Sequence, residues 1–189
     1  SDYGQFTNLY TSASVALDGD TGKIVWYYQS TPHEAWDYDG VNELLVTDLN
    51  ISGQKTPVVL KGDRNGFFYV IDRRNGKLLS AKNFQYINWA TGVDMNTGRP
   101  IENPDMRPRQ GYRAKNVCPA AIGAKNWMPM AINPHTSIIF MPTFNLCMDM
   151  EFVEQEYKRG AFYLAADFEI GKPGPGDFMG EAIAWDPLK

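Results

Sequence analysis

Short apolar runs broken by clusters of Asp, Asn, Thr and Gly set the pattern of this chain. Ser14-Val15-Ala16-Leu17 and the run 24–29 flank the turn Asp18-Gly19-Asp20-Thr21-Gly22-Lys23. Asn65-Gly66 precedes the aromatic and β-branched run Phe67-Phe68-Tyr69-Val70-Ile71, and Asn75-Gly76 follows before Lys77-Leu78-Leu79-Ser80. Asn-Gly between apolar runs is a strong hairpin signal, because the tight turn needs positive φ where these residues tolerate it. Further turns are predicted at Asn96-Thr97-Gly98 and at Asn133-Pro134, the second before the strand-like Ile138-Ile139-Phe140-Met141. No long segment keeps a helical period. Residues 151–163 are read as one short helix, residues 92–123 as a long loop excursion and residues 171–176 as a rigid exposed loop.

The runs also repeat, weakly. Ala16-Leu17-Asp18, then Thr21-Gly22-Lys23, then Trp26 make one copy. Val70-Ile71-Asp72, then Asn75-Gly76-Lys77-Leu78, make a second without the Trp, and Ile183-Ala184-Trp185-Asp186-Pro187 opens a third. Hairpin repeats of this kind predict an all-β propeller. A four-stranded blade takes roughly 40–50 residues, so the chain holds about three to four blades. The expectation is a single partial propeller domain over residues 1–189, incomplete at both ends.

Composition narrows the classes. Hydrophobic residues make up 43% and charged residues 21%, ordinary for a folded domain, while aromatics at 13% with 17 Gly and 12 Pro suit short strands and tight turns. A net charge of −4 gives no reason to expect nucleic acid or an anionic membrane surface as partner. No apolar stretch is long enough for a membrane span. Ser1-Asp2-Tyr3-Gly4 has neither a basic start nor an apolar run and is not read as a signal peptide. The cysteines Cys118 and Cys147 can form one disulfide or remain two buried thiols, and spacing alone does not choose. No CxxCH is present, so no haem is attached covalently within the chain.

Candidate chemistry concentrates in Thr31-Pro32-His33-Glu34-Ala35-Trp36-Asp37-Tyr38-Asp39-Gly40. If this segment is extended, Asp37 and Asp39 share one face and Trp36 and Tyr38 the other. Paired carboxylates repel unless a cation or proton lies between them, and hard cations take oxygen ligands of this kind. A carboxylate left partly free can act as a general base. The plain alternative is an acidic turn in solvent, and spacing favours it by about two to one. His33, with no second His nearby, reads as a surface or packing residue rather than a ligand. In Asp63-Arg64-Asn65-Gly66 a β-turn explains Asn65 and Gly66 but not Arg64, which is either solvated or an inward cation and donor. Lys125-Asn126-Trp127-Met128-Pro129 offers an amide and a flat apolar face, or more plainly a packed Trp beside an Asn-capped turn. The Met-rich run 145–151 reads as core.

These segments together resemble the PQQ-dependent (quinoprotein) alcohol dehydrogenases of methanol and ethanol dehydrogenase type. Ala16, Asp18, Thr21-Gly22-Lys23, Trp26 and Gln29 are similar to that family's tryptophan-docking repeat. Thr31-Pro32-His33 with the run from Trp36 to Glu43 resembles its active-site segment. Runs 63–73, 125–127 and 147–151 resemble later family segments in the same order. The resemblance implies an internal portion of an eight-bladed β-propeller. It makes Asp37 the catalytic base and a metal ligand. Asp39 becomes the extra carboxylate of lanthanide-using members, where calcium-using members carry a small residue. Arg64 and Asn126 become contacts to the PQQ cofactor, and Cys118 with Cys147 a disulfide, fitting an oxidising compartment, here the periplasm. The implied reaction is oxidation of a primary alcohol to an aldehyde, hydride passing to PQQ beside a lanthanide ion, or calcium as the alternative, and electrons leaving to cytochrome c. A homodimer of the full-length protein is implied as well. The resemblance places the Trp floor under PQQ and a metal-binding Glu and Asn outside this chain, so the 189 residues alone are expected to bind cofactor and metal poorly. Residues 88–92 and 98–104 look closer to the ethanol-type members, without excluding methanol. A non-enzymatic propeller scaffold or assembly protein is the alternative, but it leaves Asp37, Asp39, Arg64 and Asn126 together without a purpose.

Overall fold

The structure is a computed structural model that describes residues 6–189, so the opening Ser1–Gly4 lies outside the described residues. It is built from strands, with a single 3-10 turn at Pro104–Met106 and no α-helix among the described residues. None of its helical segments is long and apolar enough to cross a membrane. β1 (Ala13–Leu17) pairs antiparallel with β2 (Ile24–Gln29). β3 (Leu45–Ile51), β4 (Gln54–Gly62), β5 (Phe67–Asp72) and β6 (Leu78–Asn83) form a four-stranded antiparallel meander, the shape of one propeller blade. β7 (Ala90–Asp94) and β8 (Arg99–Glu102) make a second hairpin. β9 (Ala114–Val117) is followed by β10 (Ala131–Ile132), β11 (Ile139–Phe144), β12 (Leu146–Phe152), β13 (Ala166–Pro173) and β14 (Gly180–Trp185). These last six strands form two three-stranded sheets, β13-β12-β9 and β10-β11-β14.

One turn recurs and explains the repeat. In each copy an Asp side chain takes the amide of a residue two or three on, and its own carbonyl takes the amide of a residue at positive φ four on. At Asp18, Oδ1 accepts from Thr21 N at 2.8 Å and Thr21 Oγ1 at 2.6 Å, while Gly22 N donates to the Asp18 carbonyl at 2.8 Å. At Asp72, Oδ1 accepts from Arg74 N at 2.9 Å and the carbonyl from Gly76 N at 2.8 Å. The sequence marked only a turn at 96–98, but the structure makes it a full copy: Asp94 Oδ1 accepts from Asn96 N at 2.8 Å, and Gly98 N donates to the Asp94 carbonyl at 2.7 Å. A disguised copy uses Asn133 for the Asp and Ser137, at φ 60°, for the Gly.

Aromatics of β2 dock onto these turns. Trp26 Nε1 donates to the Arg73 carbonyl at 2.8 Å, and its ring lies over Gly76, where a Cβ would stand 2.9 Å from ring carbons. Tyr28 donates its hydroxyl to the Gly98 carbonyl at 3.0 Å. The blade β3–β6 buries both faces. One side, with Leu49, Leu60, Phe68 and Val70, packs toward Ile139 and Met141. The other, with Val59, Phe67, Tyr69 and Ile71, packs into a cluster that includes Trp36, Tyr38, Trp89 and Met148.

Three expectations are corrected. Residues 151–163 are not helical: Glu151 and Phe152 end β12, and the chain beyond them is irregular, with Tyr157 and Phe162 exposed, so no apolar stripe exists to bury. The Gln155 side chain holds this segment instead, accepting from Leu164 N at 2.9 Å and Ala165 N at 2.8 Å and donating to the Phe162 carbonyl at 2.9 Å. Residues 92–123 are not one loop, since they contain most of the β7–β8 hairpin and all of β9. Residues 171–176 begin inside β13, an edge strand of its sheet, where Pro173 costs no needed ladder bond. The Met-rich run is core, as its composition suggests: Met148 and Met150 of β12 are buried.

Candidate active site

The segment 31–40 carries the site, yet it is an irregular loop, and Asp37 adopts a left-handed φ of 68°. The two faces expected of an extended strand nevertheless form. Trp36 and Tyr38 are fully buried and stacked, their ring centroids 5.7 Å apart. Trp89 closes on both, at 4.9 Å and 5.4 Å. Each aromatic also spends its polar tip: Trp36 Nε1 donates to the Met106 carbonyl at 2.7 Å, and the Tyr38 hydroxyl to the Pro119 carbonyl at 2.6 Å. Arg107 lies over the Trp36 ring, 4.6 Å from its centroid. With these two side chains fixed inward, Asp37 and Asp39 between and beyond them project outward.

Arg64 meets them there. Its Nη2 is 3.5 Å from Asp37 Oδ2, its Nη1 3.8 Å from Asp39 Oδ1, and Nη2 also donates to the Ala121 carbonyl at 2.8 Å. The side chain is only 15% exposed, against 56% for Asp37 and 58% for Asp39. Arg64 is therefore inward, not solvated. The reason is local. Asp63, fully buried and paired with Lys61 at 3.0 Å, takes the Arg64 amide on Oδ1 at 2.8 Å and fixes the turn. Gly40 and Gly123 then form a sleeve around the Arg64 stem: a Cβ on Gly40 would come within 2.5 Å of Arg64 Cγ, and one on Gly123 within 2.7 Å of its Cα. Arg64 Nε is buried with no partner among the described residues.

Burial and a hydrogen bond shared with Asp39 push the Asp37 carboxyl up to about 6, against the opposing pull of Arg64. Glu34, beneath the turn, is pushed up to about 7, chiefly by burial and in part by Asp39 and Asp37. Its Oε1 accepts from Trp36 N at 2.5 Å and Tyr38 N at 2.8 Å. The arrangement thus offers a half-exposed carboxyl that gains and loses a proton near neutrality, a second carboxylate within its reach and a fixed cation. His33 packs rather than ligates, with Nδ1 2.8 Å from the Phe6 carbonyl and its own carbonyl accepting from Arg107 at 2.9 Å.

Asn126 belongs to the same loop system. Its Nδ2 donates to the Ile122 carbonyl at 2.8 Å and its Oδ1 accepts from Trp127 N at 2.8 Å, one residue along from the Ala121 carbonyl that holds Arg64. The Asn-capped turn is real, but the packed Trp is not: Trp127 is 70% exposed. Sequence reasoning passed over Lys125, which is fully buried. Its Nζ is 2.8 Å from Glu43 Oε2 and donates to the Met128 and Asn126 carbonyls at 2.8 and 3.1 Å, while Glu43 Oε1 accepts from Met130 N. Glu43 and Lys125 therefore clamp the end of the active segment to the Asn126 loop. Cys118 and Cys147 form a disulfide, Cα to Cα 4.4 Å, tying the end of β9 to β12 next to the Pro119 carbonyl that receives Tyr38.

A cavity of about 830 Å³ adjoins the start of the segment, lined by His33, Glu34, Arg107, Arg109, Glu154 and Tyr163 among others. None of Asp37, Asp39, Arg64 and Asn126 lines it. Among the described residues no group of three or more His, Cys, Asp or Glu gathers as a metal site. Asp37 and Asp39 are oxygen donors of the kind a hard cation takes, and two carboxylates alone would leave most of its coordination shell unfilled.

A partial β-propeller in which two neighbouring carboxylates face a largely buried arginine is the class that this fold and site define. Residues 2–83 match the family model described as the β-propeller domain of glucose, ethanol and alcohol dehydrogenases that use PQQ. The chain is 44% identical over 184 residues to the lanthanide-dependent methanol dehydrogenase of Methylacidiphilum fumariolicum, covering 96% of this chain and 30% of that protein. It is 46% identical over 187 residues to quinoprotein alcohol dehydrogenase PedH of Pseudomonas putida, covering 96% of this chain and 31% of that one. Among solved structures it superposes on a europium-containing methanol dehydrogenase with a TM-score of 0.90 at 43% identity, covering 95% of this chain and 31% of the other. Over nearly its whole length the chain is similar to PQQ-dependent alcohol dehydrogenases, and it spans about three-tenths of the length of the relatives it matches.

Proposed function

We propose that this chain carries the proton-accepting side of the active site of a PQQ- and metal-dependent alcohol dehydrogenase that oxidises primary alcohols of methanol or ethanol type to aldehydes. The observation that carries the reading is the placement of Asp37, Asp39 and Arg64 at one turn locked from beneath by Trp36 and Tyr38. When bound, PQQ and its metal ion would supply the hydride acceptor and the Lewis acidity that the oxidation needs. The Asp37 carboxylate takes the alcohol's hydroxyl proton as the carbon–hydrogen bond gives up its hydride, so the alcohol leaves as an aldehyde. Arg64, held by the Ala121 carbonyl and the two glycines, presents a fixed cation where negative charge develops on oxygen. Asn126 stands in the adjoining loop as a further cofactor contact.

Asp39 adds a second negative charge beside Asp37, which suits a trivalent lanthanide ion better than calcium. The names of the relatives, a lanthanide-dependent methanol dehydrogenase and a europium-containing one, support that choice. The disulfide supports an oxidising compartment, the periplasm. Cytochrome c as electron acceptor and a homodimer of the full-length protein complete the proposal. The test is dye-linked alcohol oxidation by the full-length parent with PQQ, given calcium or a light lanthanide in parallel. Lanthanide-only activity supports both the enzyme and the role of Asp39. Equal activity with calcium keeps the enzyme and removes that role. No activity with either ion refutes the reading.

A further inference from the structure

We propose that Glu34 is a positioning residue for the Asp37–Asp39 pair, its carboxylate oxygen acting as the acceptor that fixes the turn on which both are carried. The inference rests on the function proposed above for that pair. Its ground is a hydrogen-bond pattern that nothing in the family resemblance assigns. One oxygen, Glu34 Oε1, accepts both the Trp36 amide at 2.5 Å and the Tyr38 amide at 2.8 Å. These two amides flank Asp37 on either side. They belong to residues that are fully buried, and Glu34 Oε1 is the acceptor that each of the two amides has in the structure. Asp37 itself sits at φ 68°, a conformation that holds only where the surroundings over-determine it. Beneath the turn the aromatic stack of Trp36, Tyr38 and Trp89 resists sideways movement, but no stacking contact sets the rotation of the Asp37 peptide. The bifurcated bond to Glu34 does. A carboxylate three residues upstream thus acts on the metal-facing carboxylates without touching alcohol, cofactor or metal.

The geometry assigns the work to the acceptor oxygen rather than to the negative charge. Glu34→Gln keeps a carbonyl oxygen at the same reach, and one such oxygen has lone pairs for both amides. Glu34→Ala removes the acceptor. Glu34→Asp keeps it but is one methylene short of reaching both amides.

The test compares wild type, Glu34→Gln, Glu34→Asp and Glu34→Ala in the full-length parent by steady-state alcohol oxidation and by terbium luminescence titration of the cofactor-free protein. In Glu34→Ala, kcat is expected to fall and terbium affinity to weaken by about 10- to 100-fold each, with KM changed little, the scale seen when the partner of a metal ligand is removed. Glu34→Gln should retain both to within about threefold, and Glu34→Asp should lie between. Wild-type values in Glu34→Ala overturn the inference, as does a loss in Glu34→Gln equal to that in Glu34→Ala, which would move the role to the charge. Where Glu34→Ala does not fold, as judged by its melting curve, Glu34→Asp decides, and wild-type values there overturn the inference. A parent that oxidises no alcohol refutes the proposed function alone, since the terbium arm still decides this inference. A parent that binds no terbium overturns both.

Discussion

Two carboxylates held against one guanidinium cannot both keep their ordinary proton affinities. Arg64 stabilises the charged form of Asp37, while burial and Asp39 oppose it, and the balance leaves Asp37 at about 6. That balance belongs to the metal-free chain, and a cation bound beside Asp37 would favour its charged, proton-accepting form. Asp37→Asn in the full-length parent removes the proton acceptor but keeps the shape, so kcat should drop about 10²- to 10⁴-fold with the melting temperature little changed. Near-normal turnover would sink the assignment. Asp39→Ala takes one negative charge from the pair, and its lanthanide-dependent activity should fall further than its calcium-dependent activity in parallel assays. Glu34 carries a different signature. Its folded value of about 7 stands above the ordinary value of 4.5, so the folded state holds the proton more tightly. The stability this contributes is full below pH 4.5 and is lost as pH rises through 7. Part of Glu34 faces the cavity, where solvent reduces the effect, so the loss is about 2 kcal/mol. Denaturant titrations of the metal-free parent at pH 4.5, 6 and 8 should show that decline flattened in Glu34→Gln.

At the scale of elements, the recurring turn closes the hairpins β1–β2, β5–β6, β7–β8 and β10–β11. Its positive-φ residue matters twice at Gly76, once for its own φ of 74° and once because Trp26 lies on it. Gly76→Ala would bring a Cβ to 2.9 Å from the indole, with backbone strain added, and should cost about 1–3 kcal/mol in the chemical melt of the parent. The disulfide closes a 29-residue separation between β9 and β12, worth about 3–4 kcal/mol on the chain-entropy account, so Cys118→Ser with Cys147→Ser should lower the melting temperature clearly. Mass spectrometry without reduction should find the two linked. The strands and the Asp turns were legible because they depend on local chemistry: apolar runs, Asp at a fixed offset, Gly where φ is positive. The copy at Asn133–Ser137 was hidden because other residues fill the same geometry. The absent helix at 151–163 was misread for a related reason, since a polar run without a stripe carries little signal, and the Gln155 side chain that organises it bonds only to backbone. The candidate site residues divide in the same way. Asp37, Asp39, Arg64 and Asn126 stand in segments with a recognisable pattern. Glu34 acts through amides and Lys125 through a burial that its residue type argues against, so neither left a mark in the sequence.

At the scale of the whole molecule, the described residues supply one complete blade and several partial ones, and they gather no group of three or more His, Cys, Asp or Glu that could hold a metal ion by themselves. β1 and β2 show what a partial blade means physically. Two strands are marginal by themselves, and Leu17, Val25 and Tyr27 stand well exposed on this pair. In a closed propeller, apolar surface of that kind is covered by neighbouring strands. The same incompleteness governs metal binding. Asp37 and Asp39 offer two carboxylates, both over half exposed, whereas a hard cation such as calcium takes about six to eight oxygens. Ligands missing from the coordination shell are replaced by water, which gives back little of the binding energy. Terbium should therefore bind the isolated 189-residue chain at least about 100-fold more weakly than it binds the full-length parent, measured by luminescence titration of each. Should the two affinities agree, the cation would need no oxygens beyond these residues, and the division of the site between this chain and the rest of the parent would be wrong. Should they differ as expected, and Asp39→Ala weaken the parent further, the turn at 37–39 is one wall of a site whose other walls lie elsewhere in the propeller.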